Sequence, residues 1–214
     1  MPSPLDRLIE TLPALSAFHA PGSSVYDFVE LVAKEHIEAR FGETASGPSC
    51  LEPFGALMFP YHRMGAIDSA DLFGLDELIL FAFYWAQRTR YRNVVDIGAN
   101  LGLHSIVMDR CGFAVKSYEP DPEHFRILSN NLAANSCARV SAVNAAVSSD
   151  EGEAEFVRVL GNTTSSHLSG SKEHPYGELQ RFNVTVAAIR PLMAWAATPA
   201  SGPEIRTIPT PPRP

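Results

Sequence analysis

The residues between positions 94 and 119 combine carboxylates and glycines at a spacing that could bind a nucleoside. The stretch VVDIGANLGLHS, residues 94–105, runs from β-branched residues to Asp96, Gly98 and Gly102, and apolar residues at helical spacing follow. This order predicts a buried strand, a tight turn with free backbone N–H groups, and a helix. Glu119 lies at the end of the next predicted strand, about twenty residues further on, where one carboxylate can accept hydrogen bonds from both hydroxyls of a ribose.

The turn differs from the fingerprint of dinucleotide-binding proteins, which is G-x-G-x-x-G. Here Asp96 precedes a pair of glycines that enclose Ala99, Asn100 and Leu101. This pattern suits a ligand with a cationic amino-acid tail and no pyrophosphate, because Asp96 can help to hold an ammonium group. S-adenosylmethionine carries an ammonium, a sulfonium and a ribose, and we expect it as the cofactor. A nicotinamide-dependent oxidoreductase is the weaker alternative, because the chain also lacks a Tyr-x-x-x-Lys pair.

A longer stretch, residues 90–190, resembles the FkbM family of S-adenosylmethionine-dependent methyltransferases. The resemblance rests on the D-I-G-A-N-x-G turn, the Glu-Pro-Asp-Pro strand end, and the segments around Asn135, Asn144 and Gly152. It implies a Rossmann-like class I methyltransferase fold, and O-methylation of a hydroxyl on a sugar, lipid or natural product. It also implies an adenine ring near Asn144 and Ala145. The candidate cofactor-binding residues are Asp96, Gly98, Asn100, Gly102, Glu119, Asn144 and Ala145.

The apolar periodicity predicts an α/β fold with three regions. Residues 1–90 are predicted to be an extension that packs on the sheet, with at most a short helix before residue 24. Within it we expect an amphipathic helix at 24–41, short strands at 51–61 and a buried helix at 76–89. Residues 91–190 are predicted to be the cofactor-binding domain, with strands near 93–97, 114–118 and 140–144 and helices near 101–110 and 122–134. A hairpin of EAEFVRV and RFNVTVAAI closes this domain, with a long polar loop between its strands.

The last segment, residues 191–214, is rich in proline and lacks an apolar period, which predicts a disordered tail. In the resembled family a strand with a Lys-x-Asp-x-Glu-Gly pattern follows the hairpin, and this chain has no such pattern. The chain therefore resembles a C-terminally truncated member with an incomplete sheet. We expect an open edge on the strand at 93–97, through which chains could self-associate. A non-catalytic cofactor-binding remnant is accordingly an alternative to an active enzyme.

Two histidines are candidates for the catalytic base. Methyl transfer requires an acceptor atom in line with the methyl group, and a base helps when the acceptor is a hydroxyl. His104 falls in the first turn of the helix after the glycine turn, and His167 falls in the long polar loop. Either could instead have only a local structural role. The seven histidines include no H-E-x-x-H pair, and the cysteines form no C-x-x-C motif, so we predict no metal site.

The composition indicates which class of protein the chain belongs to and which kinds of partner it can bind. The chain has 214 residues, of which 45% are hydrophobic and 19% charged, which is typical of a globular protein. The net charge of −7 argues against nucleic acid as a partner and leaves a small-molecule or glycan acceptor. Three scattered cysteines favour a reducing, cytoplasmic environment, and no apolar run is long enough to span a membrane.

Overall fold

The computed structural model describes residues 4–161, 163–172 and 177–198. A 3-10 helix, Leu12–Phe18, separates the first two α-helices. In chain order the elements are α1 (Pro4–Thr11), α2 (Ser24–Phe41), β1 (Ser49–Cys50), β2 (Ala56–Leu57), α3 (Leu75–Gln87), β3 (Asn93–Ile97), α4 (Leu103–Arg110), β4 (Ala114–Tyr118), α5 (Pro122–Ala134), β5 (Val140–Val143), β6 (Ala146–Ser148), β7 (Gly152–Leu160), β8 (His167–Leu168), β9 (Glu178–Ala188) and α6 (Ile189–Ala196).

Strands β3, β4 and β5 form a parallel sheet in that order, and helices connect them along the chain. This arrangement confirms the predicted α/β, Rossmann-like fold. Val95 pairs with Lys116 and Asp96 with Ser117, so neighbouring residues of β3 point to opposite faces of the sheet. Val94 belongs to the large core beneath α4 and α5, whereas Val95 packs with the cluster that contains Leu192 of α6. Helices therefore lie against both faces of β3.

The N-terminal extension shares this core with the sheet. Phe73 and Phe81 are fully buried in the same cluster as Val115 of β4. The side chain of Asn135, at the end of α5, accepts a hydrogen bond from the Met58 backbone N–H and donates one to the Met58 carbonyl oxygen, at 2.9 Å and 2.7 Å. The extension is more helical than predicted before residue 24, because α1 and the 3-10 helix that follows it occupy most of that segment.

The helix predicted at 24–41 is present as α2. Its N-cap is Ser23, whose hydroxyl accepts a hydrogen bond from the Tyr26 N–H at 3.1 Å. Phe28 on this helix is 66% exposed. Tyr26 is buried, and its hydroxyl donates a hydrogen bond to Asp76 of α3 at 2.8 Å.

The predicted hairpin is confirmed, and it belongs to a second sheet with strand order β6-β9-β7-β8. Strands β7 and β9 pair antiparallel from Gly152 with Val186 to Leu160 with Glu178. The segment between them is partly ordered, since β8 pairs with β7. The short strand β6 was not predicted, and it pairs parallel with β9.

The segment after the hairpin differs from the predicted tail. Residues 189–196 form α6, whose Leu192 is buried against Tyr118 and Ala145. The side chain of Asn93 donates hydrogen bonds to the Trp195 carbonyl oxygen and to Thr198. The predicted disorder of 191–196 was therefore wrong, because these residues cover one face of β3. The remainder of the predicted tail, 199–214, lies outside the described residues.

Strand β3 has a strand partner on one side only within the described part of the chain. Its last residue, Ile97, is 51% exposed. The hairpin does not cover this edge, because it pairs within the second sheet. We predict that the unpaired N–H and C=O groups of β3 promote self-association. Light scattering during size-exclusion chromatography should show a dimer fraction that grows with concentration, and that Val95→Pro abolishes. A monomer at every concentration would contradict the prediction.

Among the described residues, no helix combines the length and the apolar character needed to cross a membrane.

Candidate functional site

A cavity of about 320 Å³ lies at the carboxyl ends of β3 and β4. This is the position at which open α/β sheets bind ligands, and the volume lies at the lower end of the usual range for small-molecule sites. The second sheet and the N-terminal extension close the cavity from the sides. The residues that line it are Leu72, Glu77, Asp96, Gly98, Ala99, Asn100, Leu101, Leu103, His104, Glu119, Pro120, Asp121, His124, Phe156, Thr164 and Ser166.

The turn after β3 has the predicted shape but uses its N–H groups differently. The φ angles of Gly98, Asn100 and Gly102 are 76°, 50° and 88°, all in the left-handed region. The N–H groups of Gly98 and Ala99 both donate to the Tyr118 carbonyl oxygen, at 2.9 Å and 3.0 Å. The expectation that these groups are free for a ligand was wrong, because the parallel strand beside them supplies an acceptor. These two N–H groups are therefore not available to a ligand.

Gly98 is required by its backbone conformation and not by crowding, since an added Cβ would meet no other atom within 4 Å. We predict that Gly98→Val distorts the turn at a cost of about 2 kcal/mol and weakens ligand binding, whereas Gly98→Asn is tolerated. Gly112→Val is a matched control, because Gly112 has a φ of 90° and equal free space away from the cavity. Calorimetric titration with S-adenosylhomocysteine checks this, and full affinity of Gly98→Val would contradict it.

Asp96 lies at the β3 end of the cavity, beneath α4. Its Oδ2 atom accepts a hydrogen bond from the Ser105 hydroxyl at 2.5 Å, and that hydroxyl is 2.7 Å from the Ser117 hydroxyl. Burial raises the pKa of Asp96 above its ordinary value, and the hydrogen bond from Ser105 opposes this shift. The carboxyl group is thus held rigidly at the cavity wall, where a cationic ligand group would favour its ionised form.

Glu119 lies at the β4 end of the cavity and is only 5% exposed. Its Oε2 atom accepts a hydrogen bond from the Asn100 N–H at 2.8 Å, and its Oε1 atom accepts one from the Asp121 N–H at 2.9 Å. Each carboxylate oxygen keeps a further acceptor position, so both can still accept from ribose hydroxyls. Burial raises the pKa of Glu119 to about 7, although both backbone hydrogen bonds oppose this shift.

The raised pKa of Glu119 makes ligand binding depend on pH. If only the ionised carboxylate binds a diol, affinity should fall roughly tenfold between pH 8 and pH 6, because the ionised fraction falls by that factor around pH 7. The contribution of Glu119 to folding stability has the opposite trend: it is fully present below the ordinary pKa and is lost as the pH rises through about 7. Calorimetry with S-adenosylhomocysteine at several pH values checks the first effect, and a flat profile would contradict it.

Three of the predicted cofactor-binding residues do not line the cavity and instead make contacts within the fold. Gly102 is the N-cap of α4 and does not line the cavity. The side chain of Asn144 donates hydrogen bonds to the backbone carbonyl oxygens of Glu119 and Pro120, at 2.8 Å and 3.1 Å. Ala145 is buried in the cluster of Tyr118 and Leu192. Asn144 therefore stabilises the backbone at the strand end that carries Glu119.

The two predicted catalytic histidines occupy different surroundings. His104 lines the cavity, with its Nδ1 atom 3.0 Å from the Tyr84 hydroxyl and its Nε2 atom 2.8 Å from the Oε2 atom of Glu77. His167 does not line the cavity, and its Nδ1 atom is 3.0 Å from the Ser165 carbonyl oxygen. Thr164 and Ser166, from the same predicted loop, do line the cavity.

Sequence reasoning missed several residues of the cavity. Asp121 caps α5 through hydrogen bonds from the N–H groups of Glu123 and His124, and an Asp before Pro122 is a recognisable helix start. His124 is buried in the cavity wall, and burial lowers its pKa below the ordinary value, with nearby Arg158 adding to the shift. No local pattern marks Glu77 or Phe156, because both are brought to the cavity by tertiary packing.

The chemistry of the wall fits a ligand such as S-adenosylmethionine. The Oδ1 atom of Asn100 is buried and has no hydrogen-bond partner in the protein, so an acceptor is available in the turn itself. Glu119 and Asp96 provide acceptors at the two strand ends. A ligand with a diol at one end and a cation at the other could satisfy all three groups. Within the described residues no cluster of His, Cys, Asp and Glu is arranged to hold a metal ion.

No protein-family model matches the chain, and no curated protein matches it. Among solved structures, the chain is similar to a SAM-dependent methyltransferase from Agrobacterium tumefaciens, with 14% identity and a TM-score of 0.35 over 50% of this chain and 35% of that one. It is also similar to the cofactor-bound protein Rv0187 from MTB, with 18% identity and a TM-score of 0.28 over 67% of this chain and 51% of that one. A third is coclaurine N-methyltransferase bound to N-methylheliamine and SAH, with 12% identity and a TM-score of 0.29 over 65% of this chain and 43% of that one.

The chain thus spans about half or less of the length of each of these structures. Similarities at these identities and TM-scores carry no argument about the activity of this chain.

Proposed function

We propose that the chain binds S-adenosylmethionine at the ends of β3 and β4 and belongs to the FkbM type of methyltransferase. The observation that carries this proposal is the placement of Asp96 and Glu119 in one cavity, on adjacent parallel strands. Glu119 would hold the ribose hydroxyls, and Asn100 would offer its unpartnered Oδ1 atom to the same ligand. Asp96 would face the cationic tail. When bound, the cofactor supplies an electrophilic methyl group on a sulfonium.

We further propose a hydroxyl of a sugar, lipid or natural product as the methyl acceptor. An acceptor could enter beside Thr164 and Ser166, whose polar side chains would orient it. His104 is the better placed of the two candidate bases, because it lines the cavity while His167 does not. Both nitrogens of the His104 ring have neighbours at 3.0 Å or less, so His104 must release one of them to accept a proton from an acceptor.

A non-catalytic cofactor-binding module is the second candidate. It is favoured by the open edge of β3, which has a strand on one side only among the described residues. A module would bind the cofactor through the same Asp96 and Glu119 but would transfer no methyl group. The two candidates therefore agree on the ligand and differ on turnover.

Calorimetry and a transfer assay test this proposal in turn. The full chain should bind S-adenosylhomocysteine at one site, and NAD at least about tenfold more weakly. Tighter binding of NAD, or binding of neither ligand at millimolar concentration, would overturn the proposed cofactor. Transfer of a labelled methyl group from S-adenosylmethionine to a panel of sugars and hydroxylated natural products would then support the enzyme, and binding without any transfer would support the module.

A further inference from the structure

The β3 end of the cavity carries a cluster of ionisable side chains that the cofactor prediction did not include. Glu77 belongs to the first turn of α3, and its Oε2 atom lies 2.8 Å from the Nε2 atom of His104. The His104 Nδ1 atom lies 3.0 Å from the Tyr84 hydroxyl, and the ring packs edge-on against Phe81. The Phe81 and Tyr84 contacts fix the orientation of the imidazole beside Glu77.

Glu77 and Asp96 both line the cavity. Burial raises the pKa of Tyr84 to about 12, and the negative charges of Asp96 and Glu77 add to this shift. His104 in turn stabilises the ionised form of Asp96. No Lys or Arg is among the described residues that line the cavity. An excess of carboxylates in a partly enclosed cavity favours a cationic ligand group at this end.

Glu77 provides a carboxylate to the cavity from the first turn of a helix. Asp96 already accepts a hydrogen bond from Ser105, whereas the Glu77 side chain is one-third exposed and lies near the positive end of the α3 dipole. The Oε2 atom of Glu77 is nevertheless buried, and its contact with His104 does not have the geometry of a hydrogen bond. The Glu77 side chain as a whole lines the cavity and is one-third exposed, so its carboxylate can accept a hydrogen bond from a ligand donor there.

The direction of the ligand follows from the proposed function, on which this inference rests. A ribose on Glu119 at the end of β4 leaves the rest of the ligand to extend toward the neighbouring strand β3, about 5 Å away. The amino-acid tail then reaches the end of the cavity that holds Asp96, Glu77 and His104. We propose that Glu77 binds the ammonium group of this tail together with Asp96, and that His104 positions the Glu77 carboxylate.

Two ligands that differ only in the amino-acid tail can distinguish a contact between Glu77 and the ammonium group from an effect of Glu77 on the binding of the whole ligand. 5′-Methylthioadenosine has the adenosine and thioether of S-adenosylhomocysteine without the amino-acid portion. Calorimetry should show that Glu77→Gln lowers the affinity for S-adenosylhomocysteine about tenfold or more and changes that for 5′-methylthioadenosine less than about twofold. Glu153→Gln is the matched control, because Glu153 is exposed and lies outside the cavity lining, and it should change neither affinity.

Each other result of this experiment would overturn either the inference about Glu77 or the proposed function. An equal loss for both ligands would place Glu77 against the nucleoside or in the fold and would overturn the inference, as would an unchanged affinity for S-adenosylhomocysteine. If wild type binds neither ligand, the proposed function itself fails. Should Glu77→Gln not fold, His104→Gln provides the second variant, since loss of the positioning ring should give a smaller loss confined to S-adenosylhomocysteine.

Discussion

Arg158→Met should destabilise the folded chain by about 3–5 kcal/mol, the usual loss when one partner of a buried ion pair is removed. The guanidinium of Arg158, on β7, donates to both carboxylate oxygens of Asp121, and the Nε–Oδ2 distance is 2.5 Å. The two side chains are only 13% and 2% exposed. Burial alone would raise the pKa of Asp121, but hydrogen bonds from Arg158 bring it below the ordinary value. Without Arg158, a buried carboxylate would lack its cation.

A second ion pair on the same hairpin provides the control. The Nη1 atom of Arg181 and the Oε2 atom of Glu155 are 2.6 Å apart, but the two side chains are 47% and 44% exposed, so Arg181→Met should change the stability little. Urea unfolding followed by circular dichroism compares the two variants. Asp121→Asn combined with Arg158→Met should recover part of the loss, because the amide needs no cation. Equal, small losses for Arg158→Met and Arg181→Met would show that the Asp121 pair does not hold the second sheet on the first.

Glu119→Ala should weaken S-adenosylhomocysteine binding by about 1.5–3 kcal/mol, which is roughly 10- to 150-fold in affinity. The reason is the loss of charge-assisted hydrogen bonds to a diol at a site where water cannot replace them fully. Glu123→Ala is the control, since Glu123 is 57% exposed on α5 and does not line the cavity. Titration calorimetry measures both, and equal affinity of wild type and Glu119→Ala would remove Glu119 from the ligand site.

Loss of Glu119 also frees two backbone donors, so folding must be checked separately. The N–H groups of Asn100 and Asp121 would need water in place of the carboxylate. A cooperative thermal transition and an unchanged near-ultraviolet circular dichroism spectrum would show that the turn persists in Glu119→Ala. Weak binding by a variant that lacks this transition would not count in favour of the ribose contact.

The strand ends and the turn that line the cavity follow from local sequence. Asp96, the turn at Gly98 and the strand end at Glu119 are each fixed by a few neighbouring residues, through β-branched residues, left-handed backbone and helical spacing. The same local order predicts the bounds of β3, β4 and α5 to within a residue or two. Local patterns therefore located two walls of the cavity.

The parts that were missed depend on contacts between distant residues. Arg158 and Asp121 are 37 positions apart in the sequence, and no local pattern near either residue predicts their contact. Glu77 reaches the cavity only because α3 packs beside α4. On α2, Tyr26 is buried and donates a hydrogen bond to Asp76 while Phe28 is 66% exposed, a contact that periodicity alone does not reveal.

The direct test of the central claim is a crystal structure of the full chain with S-adenosylhomocysteine. We predict that both ribose hydroxyls lie about 3 Å from the Glu119 carboxylate oxygens, with the amino-acid tail directed toward Asp96. A ligand bound elsewhere, or one whose ribose lies away from Glu119 while that carboxylate keeps only its bonds to the backbone, would contradict it.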